Sequence, residues 1–112
     1  MKEKKRGRKM INAKEANQKT VDVIKQLQKK AEQWVEDEWE FVEAKIQEAI
    51  EYGEFEASYW WASELLKEAG VKKSYAAEAL LIKAHELGFS KTVRQNYTSH
   101  NVLRIELSWE KV

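Results

Sequence analysis

The chain contains no cysteine and no proline, and only four of its 112 residues are glycine. Without cysteine it has no disulfide, no thiolate ligand for zinc and no thiol nucleophile. Gly53, Gly70 and Gly88 each follow a segment with helical character, where a left-handed residue is expected to end the helix. No glycine-rich loop of the GxGxxG or Walker type remains to cradle a phosphate.

Histidine is also scarce, since His85 and His100 are the only two. His85 falls near a predicted helix end and His100 in a predicted turn, and neither belongs to an HxxxH or HExxH pair. The serines have no GxSxG context, and the carboxylates are spread over predicted helix faces. We therefore expect no metal site, no cofactor and no catalytic group, so the chain is not predicted to be an enzyme.

Long apolar segments are missing as well. No apolar run approaches the roughly 20 residues that a membrane-spanning helix needs. The basic start of the chain is not followed by the apolar segment of a secretory signal. We therefore expect no membrane association and a cytoplasmic location.

Charge is present in both signs, but it is unevenly distributed along the chain. Residues 1–20 carry eight basic and two acidic residues, and residues 21–52 carry four basic and nine acidic residues. Residues 53–70 carry one basic and four acidic residues, and residues 71–112 carry seven basic and four acidic residues. The four segments have net charges of +6, −5, −3 and +3, which sum to the total of +1. Such asymmetry indicates surfaces that meet partners.

The first half of the chain is predicted to be a basic tail followed by one long amphipathic helix. Six of the first ten residues are Lys or Arg, so residues 1–11 are expected to stay outside compact structure. Asn12 is placed to cap a helix over residues 12–52, where apolar residues recur at intervals of three and four. At about 1.5 Å per residue this helix would be roughly 60 Å long. It is expected either to break or to pair with a copy of itself, which predicts a homo-oligomer.

Residues 53–112 are predicted to form an α+β unit, starting with the alternating pattern of Glu54–Tyr59. Ser74 is the predicted N-cap of the helix that follows Gly70. The predicted order is strand, helix, helix, strand, turn and strand, at residues 54–59, 60–69, 74–87, 89–97, 98–101 and 102–109.

The order helix, strand, helix, glycine turn, helix and hairpin resembles that of winged-helix proteins. Within residues 63–80 the matching positions are Leu65, Leu66, Gly70, Val71, Ser74 and Leu80. With residues 40–52 as the first helix and 89–109 as the wing, the resemblance covers about 70 of the 112 residues. It implies an α+β fold, namely a long N-terminal helix followed by a winged-helix-like β-α-α-β-β domain, and a function in binding DNA or protein.

A second resemblance concerns the biological setting of the protein. The segments Ile11–Ala16, Gly53–Phe55, Glu86–Phe89 and Ile105–Trp109, together with the long charged helix, look like those of small bacteriophage and prophage accessory proteins. That resemblance implies a viral protein in the cytoplasm of a bacterial host. Our leading expectation is a non-catalytic accessory protein that binds a host protein or a defence component and so serves host-defence evasion.

A DNA-binding regulator is the first alternative. The predicted contacts are the tail, the start of the second motif helix and the wing, with Lys4, Lys5, Arg6, Arg8, Lys9, Lys72, Lys73, Ser74, Tyr75, Lys91, Arg94, Asn96 and Arg104. The second motif helix has no Arg, although Arg or Lys bound to guanine is the commonest specific base contact. Glu78 on that helix would face phosphates unfavourably.

Five tryptophans in this length suggest either core packing or an interface. Trp60 and Trp61 are adjacent, and on the predicted helix they would point about 100° apart. The predicted protein-interface residues are Trp34, Trp39, Trp60 and Trp61. A further alternative is sequestration of a small nucleotide-like ligand between subunits, with an aromatic ring on the base and Arg94 or Arg104 on the phosphate.

Overall fold

A computed structural model describes residues 10–95 and 101–109. It consists of a long N-terminal helix, a three-stranded antiparallel sheet and two shorter helices, which confirms the α+β class and the β-α-α-β-β order. The elements are α1 (Ala13–Glu51), β1 (Glu56–Ala62), α2 (Ser63–Ala69), α3 (Lys73–Glu86), β2 (Ser90–Gln95) and β3 (Val102–Ser108). Most of the predicted tail and of the predicted 98–101 turn lies outside the described residues.

α1 is one continuous helix of 39 residues. Its start is capped as predicted, because the side-chain oxygen of Asn12 accepts a hydrogen bond from the backbone N–H of Glu15 at 2.9 Å. The buried residues of α1 between Ala31 and Ala49 recur at intervals of three and four, apart from the adjacent Trp34 and Val35, and they face the sheet and α3. Upstream of Ala31 no α1 residue is buried, so the first half of the helix projects along the 72 Å axis of the molecule.

The boundary between β1 and α2 differs from the prediction. A strand at 54–59 and a helix at 60–69 were expected, but the strand continues through both tryptophans and the helix begins at Ser63. The backbone N–H of Ser63 still donates to the carbonyl of Asn101 at 2.9 Å, so pairing with β3 holds this segment extended. Aromatic residues favour strands. The alternation of more exposed and less exposed side chains continues past residue 59, where the predicted strand ended, to Ala62.

The α2–α3 turn also corrects one prediction. Lys72, not Ser74, is the N-cap of α3, and no side chain caps this helix end. Gly70 ends α2 as predicted, with a φ of +72° that suits glycine. A Cβ at Gly70 would lie 2.7 Å from the Nζ of Lys30, so α1 reaches this turn at Lys30.

The core lies between the second half of α1, the inner face of the sheet and α3. β3 is the central strand, with β1 and β2 on its two sides. The largest fully buried side chains come from every layer and are Val35, Val42, Leu66, Leu80, Leu103 and Ile105. This core fixes β1 as an edge strand that runs beside α1.

Candidate functional site

A groove of about 1010 Å³ lies between α1, the edge strand β1 and α2. Its floor contains the rings of Trp34, Tyr59 and Trp61, and its rim carries the side chains of Phe41, Trp60 and Leu65. We call this depression, with these six residues, the aromatic groove. Apolar side chains form most of its lining.

The floor of the aromatic groove is a continuous set of ring contacts. Trp61 lies 4.9 Å from Tyr59 in an edge-to-face arrangement and 5.1 Å from Trp34, measured between ring centroids. Tyr59 in turn lies 6.4 Å from Phe41, with the two rings only 15° from parallel. The indole N–H of Trp61 donates to Oε1 of Glu38 at 2.9 Å, so its polar edge is satisfied. These contacts hold the floor in one arrangement.

The rim of the aromatic groove is unusual in its exposure. Phe41 is 45% exposed, Trp60 58% and Leu65 54%, although each comes from a different element. Single exposed apolar residues are common, but three that converge on one groove typically mark a binding surface. Trp is also among the residues most enriched at the energetic centres of interfaces.

The backbone of β1 adds hydrogen-bonding groups to the rim. Trp109 donates to the carbonyl of Phe55, and Ser63 donates to that of Asn101, so the odd-numbered residues of β1 are the ones hydrogen-bonded to β3. Ser58 and Trp60 therefore direct their backbone N–H and C=O groups to the free edge. Among the described residues, no backbone group of another element bonds to them. The groove thus lies next to unpaired strand groups.

The outer face of the sheet carries a row of three side chains across the strands, Trp60, Arg104 and Arg94. This row is where a nucleotide-like ligand would place its base and phosphate. Glu106 reduces its positive charge, because its carboxylate lies 3.1 Å from Nε of Arg104 and 4.0 Å from a terminal nitrogen of Arg94. Arg104 also donates to Oγ of Ser58 at 3.3 Å. The row is therefore partly neutralised by the chain itself.

The predicted nucleic-acid contacts that lie within the described residues do not form one surface. Lys72 lies over the ring of Tyr75 at 5.6 Å, and Lys73 donates to the side chain of Asn101 at 3.0 Å, so these residues and the exposed Ser74 lie beside the start of β3. Lys91 and Arg94 point to opposite faces of β2. The predicted contacts Lys4, Lys5, Arg6, Arg8, Lys9 and Asn96 lie outside the described residues.

The exposed face of α3 is unsuited to a DNA groove. It presents Glu78, Ile82 and Glu86 to solvent. On the neighbouring α1 surface the carboxylate of Glu36 lies 2.8 Å from Nζ of Lys83 and offsets its positive charge. This face would place carboxylates near phosphates, and like charges repel.

The four tryptophans predicted as interface residues have different surroundings. Trp34, Trp39 and Trp61 are buried, whereas Trp60 is exposed, because adjacent strand residues point to opposite faces. Phe41 and Leu65 complete the rim and were not among the predicted site residues. Phe41 breaks the helical spacing of the buried α1 residues, and this was the available signal for it.

Metal-binding clusters and membrane-spanning helices are both absent from the described residues. Within residues 10–95 and 101–109, no three His, Asp or Glu side chains are grouped so that they would hold a metal ion. The helices in these residues include none with the length and apolar character needed to cross a bilayer. Comparisons with protein-family models, with curated proteins and with solved structures found no match to this chain.

Proposed function

We propose that this chain is a non-catalytic binding protein that holds a segment of another protein in the aromatic groove. The observation that carries the proposal is the convergence of three half-exposed apolar side chains, Phe41, Trp60 and Leu65, beside an unpaired strand edge. Apolar anchors supply affinity when they enter a partner, and strand groups supply direction through hydrogen bonds.

The arrangement favours an extended segment that adds a fourth strand to the sheet. Such a strand would exchange backbone hydrogen bonds with Ser58 and Trp60, whose groups face the free edge of β1. Alternate side chains of the added strand would point toward Phe41 and the groove floor, and the others would lie beside Trp60. The expected ligand is therefore a peptide with apolar residues at alternate positions.

The charged side chains that line the groove are Glu38, Lys45 and Arg104, and Glu38 already accepts a hydrogen bond from the indole of Trp61. The groove therefore carries no excess of acidic side chains, and the apolar rim and the strand edge supply the recognition. Within this proposal the biological setting is that of a phage-type accessory protein bound to a host protein or defence component, and that setting rests on the sequence resemblance alone.

Selection from a random twelve-residue peptide library on the immobilised full-length chain tests this function. We expect enriched peptides with alternating apolar residues, and we expect Trp60→Ala to weaken their binding by about 30-fold or more, as for a central interface residue. Ile82→Ala is the matched control, because Ile82 is 51% exposed but lies on α3, away from the groove. Fluorescence anisotropy of labelled peptides gives the affinities. Equal binding to the wild-type chain and to Trp60→Ala would overturn the proposal.

Binding to duplex DNA separates this function from the DNA-binding alternative. We expect a chain shortened to residues 12–112 to show no measurable affinity for mixed-sequence duplex DNA, because α3 exposes Glu78 and Glu86. The full chain is expected to bind weakly through its six basic residues within 1–9, with affinity that falls steeply as salt rises. Anisotropy titrations at low and moderate salt measure both. Salt-sensitive binding that survives the truncation would instead place DNA on the folded part.

A further inference from the structure

A single carboxylate lies among the aromatic side chains of the groove. Four residues of α1, spaced at intervals of four, three and four, line the groove from one side of the helix, namely Trp34, Glu38, Phe41 and Lys45. Glu38 is partly buried, and its Oε1 accepts the indole N–H of Trp61 at 2.9 Å. This hydrogen bond fixes the carboxylate beside the floor of the groove.

Glu38 can accept more hydrogen bonds than it receives from this chain. An ionised carboxylate has two oxygens with about four acceptor positions in all. Within residues 10–95 and 101–109, the indole of Trp61 is its one hydrogen-bond donor, and no Lys or Arg lies within ion-pair distance of it. A partly buried carboxylate is stabilised by a further donor, most of all by a cation.

The two basic residues that line the groove have carboxylates of their own. Nζ of Lys45 lies 3.4 Å from Oε1 of Glu48. Nε of Arg104 lies 3.1 Å from Oε2 of Glu106. Neither ion pair includes Glu38. Although the groove has no excess of acidic side chains, its one carboxylate therefore lacks a cation from the described part of the chain.

We propose that the partner segment places a lysine or arginine side chain on Glu38. This inference rests on the proposed function, since it specifies one residue of the strand that pairs with β1. Side chains directly opposite one another on adjacent strands lie on the same face of the sheet. The partner residue opposite Tyr59 therefore points towards α1, as Tyr59 does, and there it meets Phe41 and Glu38.

The groove suits both parts of such a side chain. Its methylene stem packs on the apolar rim formed by Phe41 and Leu65, while its charged end reaches the carboxylate. Hydrogen bonds between two charged groups are shorter and stronger than those between neutral groups. The rings of Phe41 and Tyr59 also favour a cation at this position. A neutral apolar side chain would fill the same space but would bring no donor to Glu38.

The sequences of selected peptides give the first test. We expect peptides selected on the full-length chain to carry Lys or Arg at one of the alternate positions that point towards α1, two residues from an apolar one. Norleucine in place of such a Lys keeps most of the stem and removes the charge. We expect this replacement to weaken binding to the wild-type chain about tenfold, as for loss of a hydrogen bond between charged groups.

Glu38→Gln and Glu43→Gln form a matched pair for the second test. Both remove one negative charge from α1, but Glu43 is exposed and does not line the groove. The amide oxygen of Glu38→Gln can still accept from the indole of Trp61. We expect Glu38→Gln to bind the Lys peptide about tenfold more weakly than the wild-type chain does, and to bind the norleucine peptide equally well. Glu43→Gln is expected to bind both peptides like the wild-type chain.

Fluorescence anisotropy of the labelled peptides measures these affinities, and thermal melts check that both variants are folded. The inference is wrong if selected peptides have no basic residue at the inward positions, or if norleucine weakens binding equally on the wild-type and Glu38→Gln chains. In either case the proposed function stands as long as Trp60→Ala weakens the same peptides. Peptides that bind Trp60→Ala as tightly as the wild-type chain contradict the proposed function itself, and this inference with it.

Discussion

Replacement of Trp61 by alanine is expected to remove a large part of the stability of this protein. Trp61 is 2% exposed, and its ring contacts those of Trp34 and Tyr59. Truncation of a buried tryptophan to alanine costs about 3–5 kcal/mol, through lost transfer free energy and the cavity left behind. It also removes the N–H that Glu38 accepts at 2.9 Å. Thermal unfolding followed by circular dichroism should show a midpoint lower by on the order of 15 °C.

The neighbouring tryptophan provides the control for this experiment. Trp60 is exposed on the opposite face of the same strand, so Trp60→Ala should change the free energy of unfolding by less than about 1 kcal/mol. Trp61→Phe keeps most of the ring packing and removes the donor to Glu38, and we expect an intermediate loss. If Trp60→Ala and Trp61→Ala lowered the midpoint equally, the assignment of these residues to opposite faces of β1 would be wrong.

A proline at position 58 is expected to abolish the binding of extended peptides while the fold persists. The N–H of Ser58 points to the free edge of β1, so its loss breaks no hydrogen bond to β3. An added strand would lose one donor and would meet the proline ring, and an unpaired buried carbonyl costs about 1–3 kcal/mol. We therefore expect affinity to fall by roughly 30-fold or more.

Ser58→Ala is the matched control for this second prediction. Both variants lose the hydrogen bond from Arg104 to Oγ of Ser58, but only the proline removes the backbone donor. We expect the alanine variant to bind selected peptides like the wild-type chain. Far-UV circular dichroism and thermal melts check that both variants remain folded.

Much of the fold follows from local signals. Asn12 and Glu15 specify the start of α1, and Gly70 specifies the end of α2, each through a few neighbouring residues. The uninterrupted helical spacing after Glu15 specifies the helix itself. The element order could be predicted for this reason. The continuity of the long helix could not be predicted from the sequence. Its second half gains stability from packing on β1 and α3, and this packing joins residues far apart in the chain.

The boundary between β1 and α2 shows the limit of local reasoning. Residues 60–62 read as the start of a helix, yet pairing with Val102, Leu103 and Arg104 of β3 keeps them extended. The sides of Trp60 and Trp61 depend on that pairing, so the exposed member of the pair could not be identified from sequence. Phe41 and Leu65 were missed for a related reason, since they form a rim only once α1, β1 and α2 are packed together.

The division of the basic residues has the same origin. Sequence places Lys91 and Arg94 in one wing, but their register against β3 directs them to opposite sheet faces. Glu106 beside Arg94 and Arg104 also becomes evident only when the strands are paired. Charge counts alone therefore overstate the positive surface available to nucleic acid.

The central claim is that an extended protein segment pairs with the free edge of β1 beside the aromatic groove. Its most direct test is a calorimetric titration of one selected peptide, and of the same peptide N-methylated at alternate residues, into the wild-type chain, Ser58→Ala and Ser58→Pro. We expect the plain peptide to bind the wild-type and alanine chains alike, and the proline chain and the methylated peptide to give no measurable binding. The account would be contradicted if the folded Ser58→Pro chain bound the plain peptide as tightly as the wild-type chain does, and if N-methylation of either set of alternate residues left the affinity of the peptide unchanged.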